Sequence, residues 1–136
     1  MIIHPAVIVH GLIDAKAALA PGVPVTLLSA PGAGLSAGCL WWRELAAAAR
    51  LAYPATPALD ILDCADASGM AMGALRCGVS RLVLWPDAPG RDAVAAIAQE
   101  QGGFVLPHAP PALNLARRNA HRRLHAWLRN TGRFGA

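Results

Sequence analysis

No aspartate or glutamate occurs from residue 117 to the end of this 136-residue chain, and lysine occurs only once, as Lys16. Charged residues make up 15% of the sequence and aromatics 5%, against 55% hydrophobic residues. So little charge beside so much apolar content excludes a disordered chain, which needs the opposite balance. Cysteine is scarce as well. Cys39, Cys64 and Cys77 are an odd number with no C-x-x-C pair, which is neither a disulfide framework nor a zinc site, and reduced, partly buried thiols are expected. No apolar run approaches the roughly 20 residues that span a bilayer. The opening stretch, MIIHPAVIVHG, lacks a basic segment ahead of its apolar run and an Ala-x-Ala-like site directly after it. No export signal is read there, and a cytoplasmic location is expected.

What is present is an alternation. Short β-branched or leucine-rich runs at 6–9, 24–28, 59–63, 81–85 and 104–106 alternate with alanine-rich segments at about 13–20, 35–50, 69–77, 91–101 and 113–129. The strand runs are continuously apolar, as in strands buried on both faces. Strand and helix in turn imply a parallel sheet covered by helices, with right-handed crossovers limiting the topology. The expected fold is α/β, a three-layer sandwich with a mainly parallel, about five-stranded sheet of the flavodoxin-like or Rossmann-like kind. A half (β/α)₈ barrel completed by dimerisation is the other arrangement such a pattern allows. The length suits one domain: residues 1–112 as the core, and residues 113–136 as an Arg-rich helix packed on it.

Three segments echo one another: Ser29-Ala30-Pro31-Gly32, Asp66-Ala67-Ser68-Gly69 and Asp87-Ala88-Pro89-Gly90. Each falls between a strand and the next helix. Turn chemistry is sufficient to explain them, since Ser or Asp accepts from nearby amides, Pro fixes φ and Gly permits positive φ. They also mark the rim where open α/β sheets hold ligands, outside the carboxyl ends of the strands and near a reversal of strand order.

On that rim the candidate ligand-binding residues are His10, Ser29, Gly32, Gly34, Ser36, Asp63, Asp66, Asp87 and His108. Gly32, Gly34 and Ala37 spell G-x-G-x-x-A after a strand and before a helix, a setting in which backbone N–H groups and the helix dipole hold phosphate. Asp60 and Asp63 stand near the spacing at which an acid takes ribose hydroxyls. A small anionic, phosphate-bearing ligand is therefore the first expectation, a nucleotide or CoA-type cofactor a narrower one. A phosphoacceptor site is excluded: Asp63 stands where the acceptor would be, but His10-Gly11 replaces the acidic pair, and Leu106 precedes Pro107 where a lysine is needed. Neither a catalytic set nor a metal cluster is legible.

The second feature is basic. Ala116, Ala120, Leu124, Trp127 and Leu128 recur at helical spacing, while Arg117, Arg118, Arg122, Arg123 and Arg129 fill most of the remainder. A helix docked through its apolar stripe is the plainest expectation. The alternative function is a non-enzymatic interaction protein, a homo-oligomer using Trp41 or Trp42 and this helix. Nucleic acid or an anionic membrane surface is a less favoured partner for the arginines.

Overall fold

In the computed structural model, residues 2–33, 37–130 and 134–135 are described. Among the described residues eight strands run in chain order: β1 (Ile2–Ile3), β2 (Ala6–Ile8), β3 (Val25–Leu28), β4 (Ala58–Asp63), β5 (Arg81–Val83), β6 (Phe104–Leu106), β7 (Ala112–Asn114) and β8 (Phe134–Gly135). Among the described residues there are five helices: α1 (Leu12–Leu19), α2 (Gly38–Ala52), α3 (Ser68–Arg76), α4 (Arg91–Glu100) and α5 (Ala120–Asn130).

The α/β fold with a parallel sheet is the one expected, consistent with a three-layer sandwich of the flavodoxin-like or Rossmann-like kind. The sheet is all-parallel with six strands, in the order β6-β5-β4-β3-β2-β7. From β2 to β6 the chain advances one strand at a time in one direction, and β7 then takes the other side of β2. That is the sheet's one reversal of order, and β2 and β7 meet there in register, Ala6 with Ala112 and Ile8 with Asn114. The sixth strand corrects the helix expected at 113–129: residues 112–114 are strand, and the helix begins at Ala120. Ala112, Leu113 and Asn114 have no strand periodicity to read, and Ala and Leu favour helix.

The chain forms two compact units. The first comprises Met1–Leu28, Leu45–Asp60 and Pro110–Ala136. Its core includes Val7, Val9, Leu19, Val25, Leu27 and Leu28, all buried. Alanines 15 and 18 give α1 a smooth buried face that allows close packing. Thr56 Oγ1 donates to the Leu19 carbonyl at 2.8 Å, and Arg50 pairs with Asp60, which satisfies an otherwise buried carboxylate. β1 pairs antiparallel with β8. On α5, Ala120, Leu124 and Leu128 are buried and Trp127 Nε1 donates to the Ala6 carbonyl at 2.8 Å. The expected apolar stripe is thus the docked face from Ala120 onward, whereas Ala116, expected as its first member, precedes the helix and is exposed.

The second unit comprises Ser29–Glu44 and Ile61–Ala109. Ile61, Leu62, Leu82, Val83 and Leu84 are buried in its strands, with Ala71, Ala74 and Leu75 of α3 and Val94 and Ala98 of α4. Two of the three echoed turns have glycine in the left-handed region, Gly32 and Gly90 both at φ 68°. The third does not: Gly69 lies within α3, which starts one residue earlier, at Ser68. The second and third echoes are joined through Ser68 Oγ, which donates to the Pro89 carbonyl.

No described helix is long and apolar enough to cross a membrane.

Candidate functional site

The reversal of strand order falls inside the first unit, and polar side chains gather there. His10 follows the carboxyl end of β2, and its backbone N–H donates to Asp14 Oδ2 at 3.0 Å. The Gly11 carbonyl then accepts from Ala15 at 3.1 Å, opening α1. Asp14 in the first turn thus acts as a helix-start acceptor, where a carboxylate also complements the dipole. Asn114, the last residue of β7, accepts from the Ala116 N–H at 3.0 Å through Oδ1. The same oxygen lies 2.7 Å from His10 Nε2. An amide oxygen only accepts, so the proton of this bond sits on His10 Nε2. His10 Nδ1 is left as the ring atom with no partner among the described residues.

The turn into α5 closes the group. The Asn114 carbonyl accepts from Arg117 at 3.0 Å, and Arg117 in turn accepts from Ala120 at 3.1 Å. Asn119 has φ 64°, a left-handed conformation that asparagine tolerates better than most residues. It delivers His121, whose Nε2 is 3.4 Å from Asp14 Oδ1. The first turns of α1 and α5 therefore each send a side chain to one place. Their first-turn N–H groups lack partners within their own helices and give that place a partial positive charge. Arg117 and Arg118 are exposed beside it in sequence, and His10 is exposed as well.

The other rim candidates lie in the second unit and are built differently. Ser29 is fully buried; its Oγ donates to the Ala30 carbonyl at 3.1 Å and accepts from the Asp63 N–H at 2.9 Å. Gly32 N–H donates to the Asp63 carbonyl at 2.9 Å. The Asp63 carboxyl, 2% exposed, accepts from Ala65 N–H at 2.9 Å, and burial pushes its pKa above the ordinary value of 3.8. Ser29, Gly32 and Asp63 are therefore brought together, as the fastening of a turn. Asp66, Asp87 and His108 are exposed with no hydrogen bond among the described residues. Gly34 and Ser36 lie outside the described residues. Asp60, one of the two acids at dinucleotide spacing, is occupied by Arg50.

Along α5 and the turn before it, Arg117, Arg118, Arg122, Arg123 and Arg129 are all exposed, and none has a side-chain partner among the described residues. Trp42 is fully buried with its indole N–H unpaired among those residues, and Trp41 is half-buried against it with ring centroids 6.0 Å apart. Among the described residues no three His, Cys, Asp or Glu side chains are grouped to hold a metal ion.

Sequence reasoning missed Asn114, Asp14 and His121 as members of a site. Asn114 ends a strand too short to read. Asp14 and His121 are 107 positions apart, so only the pairing of β2 with β7 relates them. Comparison with models of known protein families, with curated proteins and with solved structures finds no match.

Proposed function

We propose that the protein binds a small anionic, phosphate-bearing ligand at the carboxyl ends of β2 and β7. The observation that carries this reading is the 2.7 Å hydrogen bond from His10 Nε2 to Asn114 Oδ1 across the reversal of strand order. Open α/β sheets hold ligands at that position, because the loops above the two strands part in opposite directions there. The bond fixes the imidazole and turns its second nitrogen to other use. In the neutral ring Nδ1 accepts from a ligand hydroxyl, and in the imidazolium it donates to an anionic oxygen. Arg117 and Arg118 supply charge, and the opening turns of α1 and α5 supply backbone donors.

The exposed arginines of α5 favour a second reading, an interaction protein whose partner carries negative charge. The two separate in a thermal-shift screen of the purified chain. The screen covers inorganic phosphate, sulfate, nucleotides, dinucleotides, CoA and sugar phosphates, with His10→Ala as the site variant and Asp87→Ala as an exposed control. A ligand at about 100 times its Kd stabilises the chain by about 2.7 kcal/mol, a shift of several degrees. A shift present in wild type and Asp87→Ala and lost in His10→Ala supports the ligand reading. No shift with any compound, or one that His10→Ala retains, overturns it.

A further inference from the structure

Cys39 lies in the first turn of α2, and Cys77 caps the end of α3. Their sulfurs are 2.7 Å apart. Carbon atoms in van der Waals contact rest about 3.5–4.0 Å apart, and a disulfide bond measures about 2.05 Å. The pair sits between the two. Two further contacts hold it there. The Cys39 thiol is 3.6 Å from the Gly73 carbonyl, which it meets as a donor. Arg43, one turn further along α2, donates from Nη1 to the Cys77 carbonyl at 3.0 Å and so occupies an acceptor that the end of α3 leaves open. Both cysteines are half-buried, accessible enough for a small reagent and enclosed enough to restrict the partner each can find. Burial, followed by the neighbouring Cys77, raises the Cys39 thiol above its ordinary value of 9.0. The third cysteine, Cys64, is fully buried and pushed up to about 12 by burial, followed by the nearby Asp63 and Cys39.

We propose that Cys39 and Cys77 form a reversible disulfide by exchange with a small-molecule disulfide, stapling the start of α2 to the end of α3. One cysteine, as its thiolate, attacks a sulfur of the reagent. The reagent's S–S bond breaks and one thiolate leaves, giving a mixed disulfide on the protein. The other cysteine thiolate attacks the protein sulfur of that intermediate and displaces the second reagent thiolate. Two electrons pass from the protein dithiol to the reagent, and the two protons lost by the cysteines end on its thiols. The bridge spans 38 positions of sequence, a loop long enough for a cross-link to restrict the unfolded chain strongly. The sequence contained no hint of this pair, because its spacing matches no redox motif.

The test uses the full chain, first reduced and then incubated folded with glutathione disulfide at alkaline pH, which increases the thiolate fraction of any accessible cysteine. Intact mass and peptide mapping read the product. The expected result is a monomer lighter by two hydrogens, with one cross-linked peptide joining Cys39 to Cys77. Its Tm is expected to rise by roughly 5–10 °C and to return on reduction. Cys39→Ser and Cys77→Ser are each expected to gain at most one glutathione. Since the wild-type map carries the proposal, poor folding of either variant does not affect it. Two glutathione adducts without a cross-link, a bridge that includes Cys64, a bridge between two chains, or free thiols at both positions would each overturn it.

Discussion

The carboxyl ends of β2 and β4 look alike in sequence, each a short apolar strand leading to a titratable side chain, yet the two are built for different work. At β4 the side chain is Asp63, buried and turned back on its own backbone, with Ser29 and Gly32 fastened to the same residue. The groups there fasten the turn after β3 to the turn after β4. At β2 the side chain is His10, exposed, held through one ring nitrogen by Asn114 and open at the other. Charge follows the same division. The buried end carries an acid whose proton is favoured by burial, which repels an anion whenever that proton is lost. The exposed end also holds an acid, Asp14, but its two oxygens are engaged by the His10 N–H and by His121. It stands where two helices begin and where the basic segment of the chain starts. Burial, and not residue type, separates a turn that holds the fold from a turn that is free to hold a ligand.

Substitutions can break this contrast, beginning with the interior. Trp42→Ala empties a fully buried position of the second unit and is expected to cost about 3–5 kcal/mol in urea unfolding. Trp41→Ala, at a half-buried neighbour, is expected to cost less than half as much. Equal losses would contradict the assignment of Trp42 alone to the core.

Asp63→Ala removes the acceptor of the Ala65 N–H and is expected to cost about 1–3 kcal/mol. Asp63→Asn keeps an acceptor and removes the charge. Because burial raises the folded pKa above 3.8, the stability that comes with the Asp63 proton is present in full below that value. It is lost as pH rises through the folded pKa. The asparagine variant is therefore expected to be more stable than wild type at neutral pH and to lose that lead as pH falls toward 3.8. A lead that grows on acidification would reverse the sign and sink the account of Asp63. Neither variant is expected to alter ligand binding.

His10→Ala is the mirror image. Its stability is expected to fall by no more than about 1 kcal/mol, the net contribution of one exposed hydrogen bond. Ligand affinity is expected to fall at least about tenfold, the equivalent of about 1.4 kcal/mol. Smallest of all is Asp87→Ala, where an exposed carboxylate without a hydrogen bond is expected to leave both stability and binding unchanged. A large effect of Asp87 on binding, measured by calorimetry, would move the site into the second unit.

The sheet was legible because its strands are apolar throughout and evenly interrupted by alanine-rich helices. Burial of Val25–Leu28 on every residue is what a run such as VTLL encodes. β7 was not legible. Three residues supply no period, and Leu113 reads as well in a helix as in a strand. That one omission hid the reversal of strand order, and with it the partners of His10. His10 itself stood among the candidates, but Asn114 and His121 become its neighbours only through the pairing of β2 with β7 and the turn at Asn119. The carboxylates of the echoed turns misled in the opposite way. Asp66 and Asp87 match helix-start chemistry in sequence, whereas α3 and α4 begin without any side-chain cap. The side chain that does fasten its turn, Asp63, stands outside the repeated pattern.

The most direct measurement is a titration of isotope-labelled protein with inorganic phosphate, followed by NMR at the histidine rings and the backbone amides. Saturable shifts at the His10 ring and at the amides of Ala116 and Arg117, with Asp63 and Ala65 unmoved, are the expected result. Shifts confined to Ser29, Gly32 and Asp63, or none at saturating phosphate, would contradict the assignment of the site to the carboxyl ends of β2 and β7.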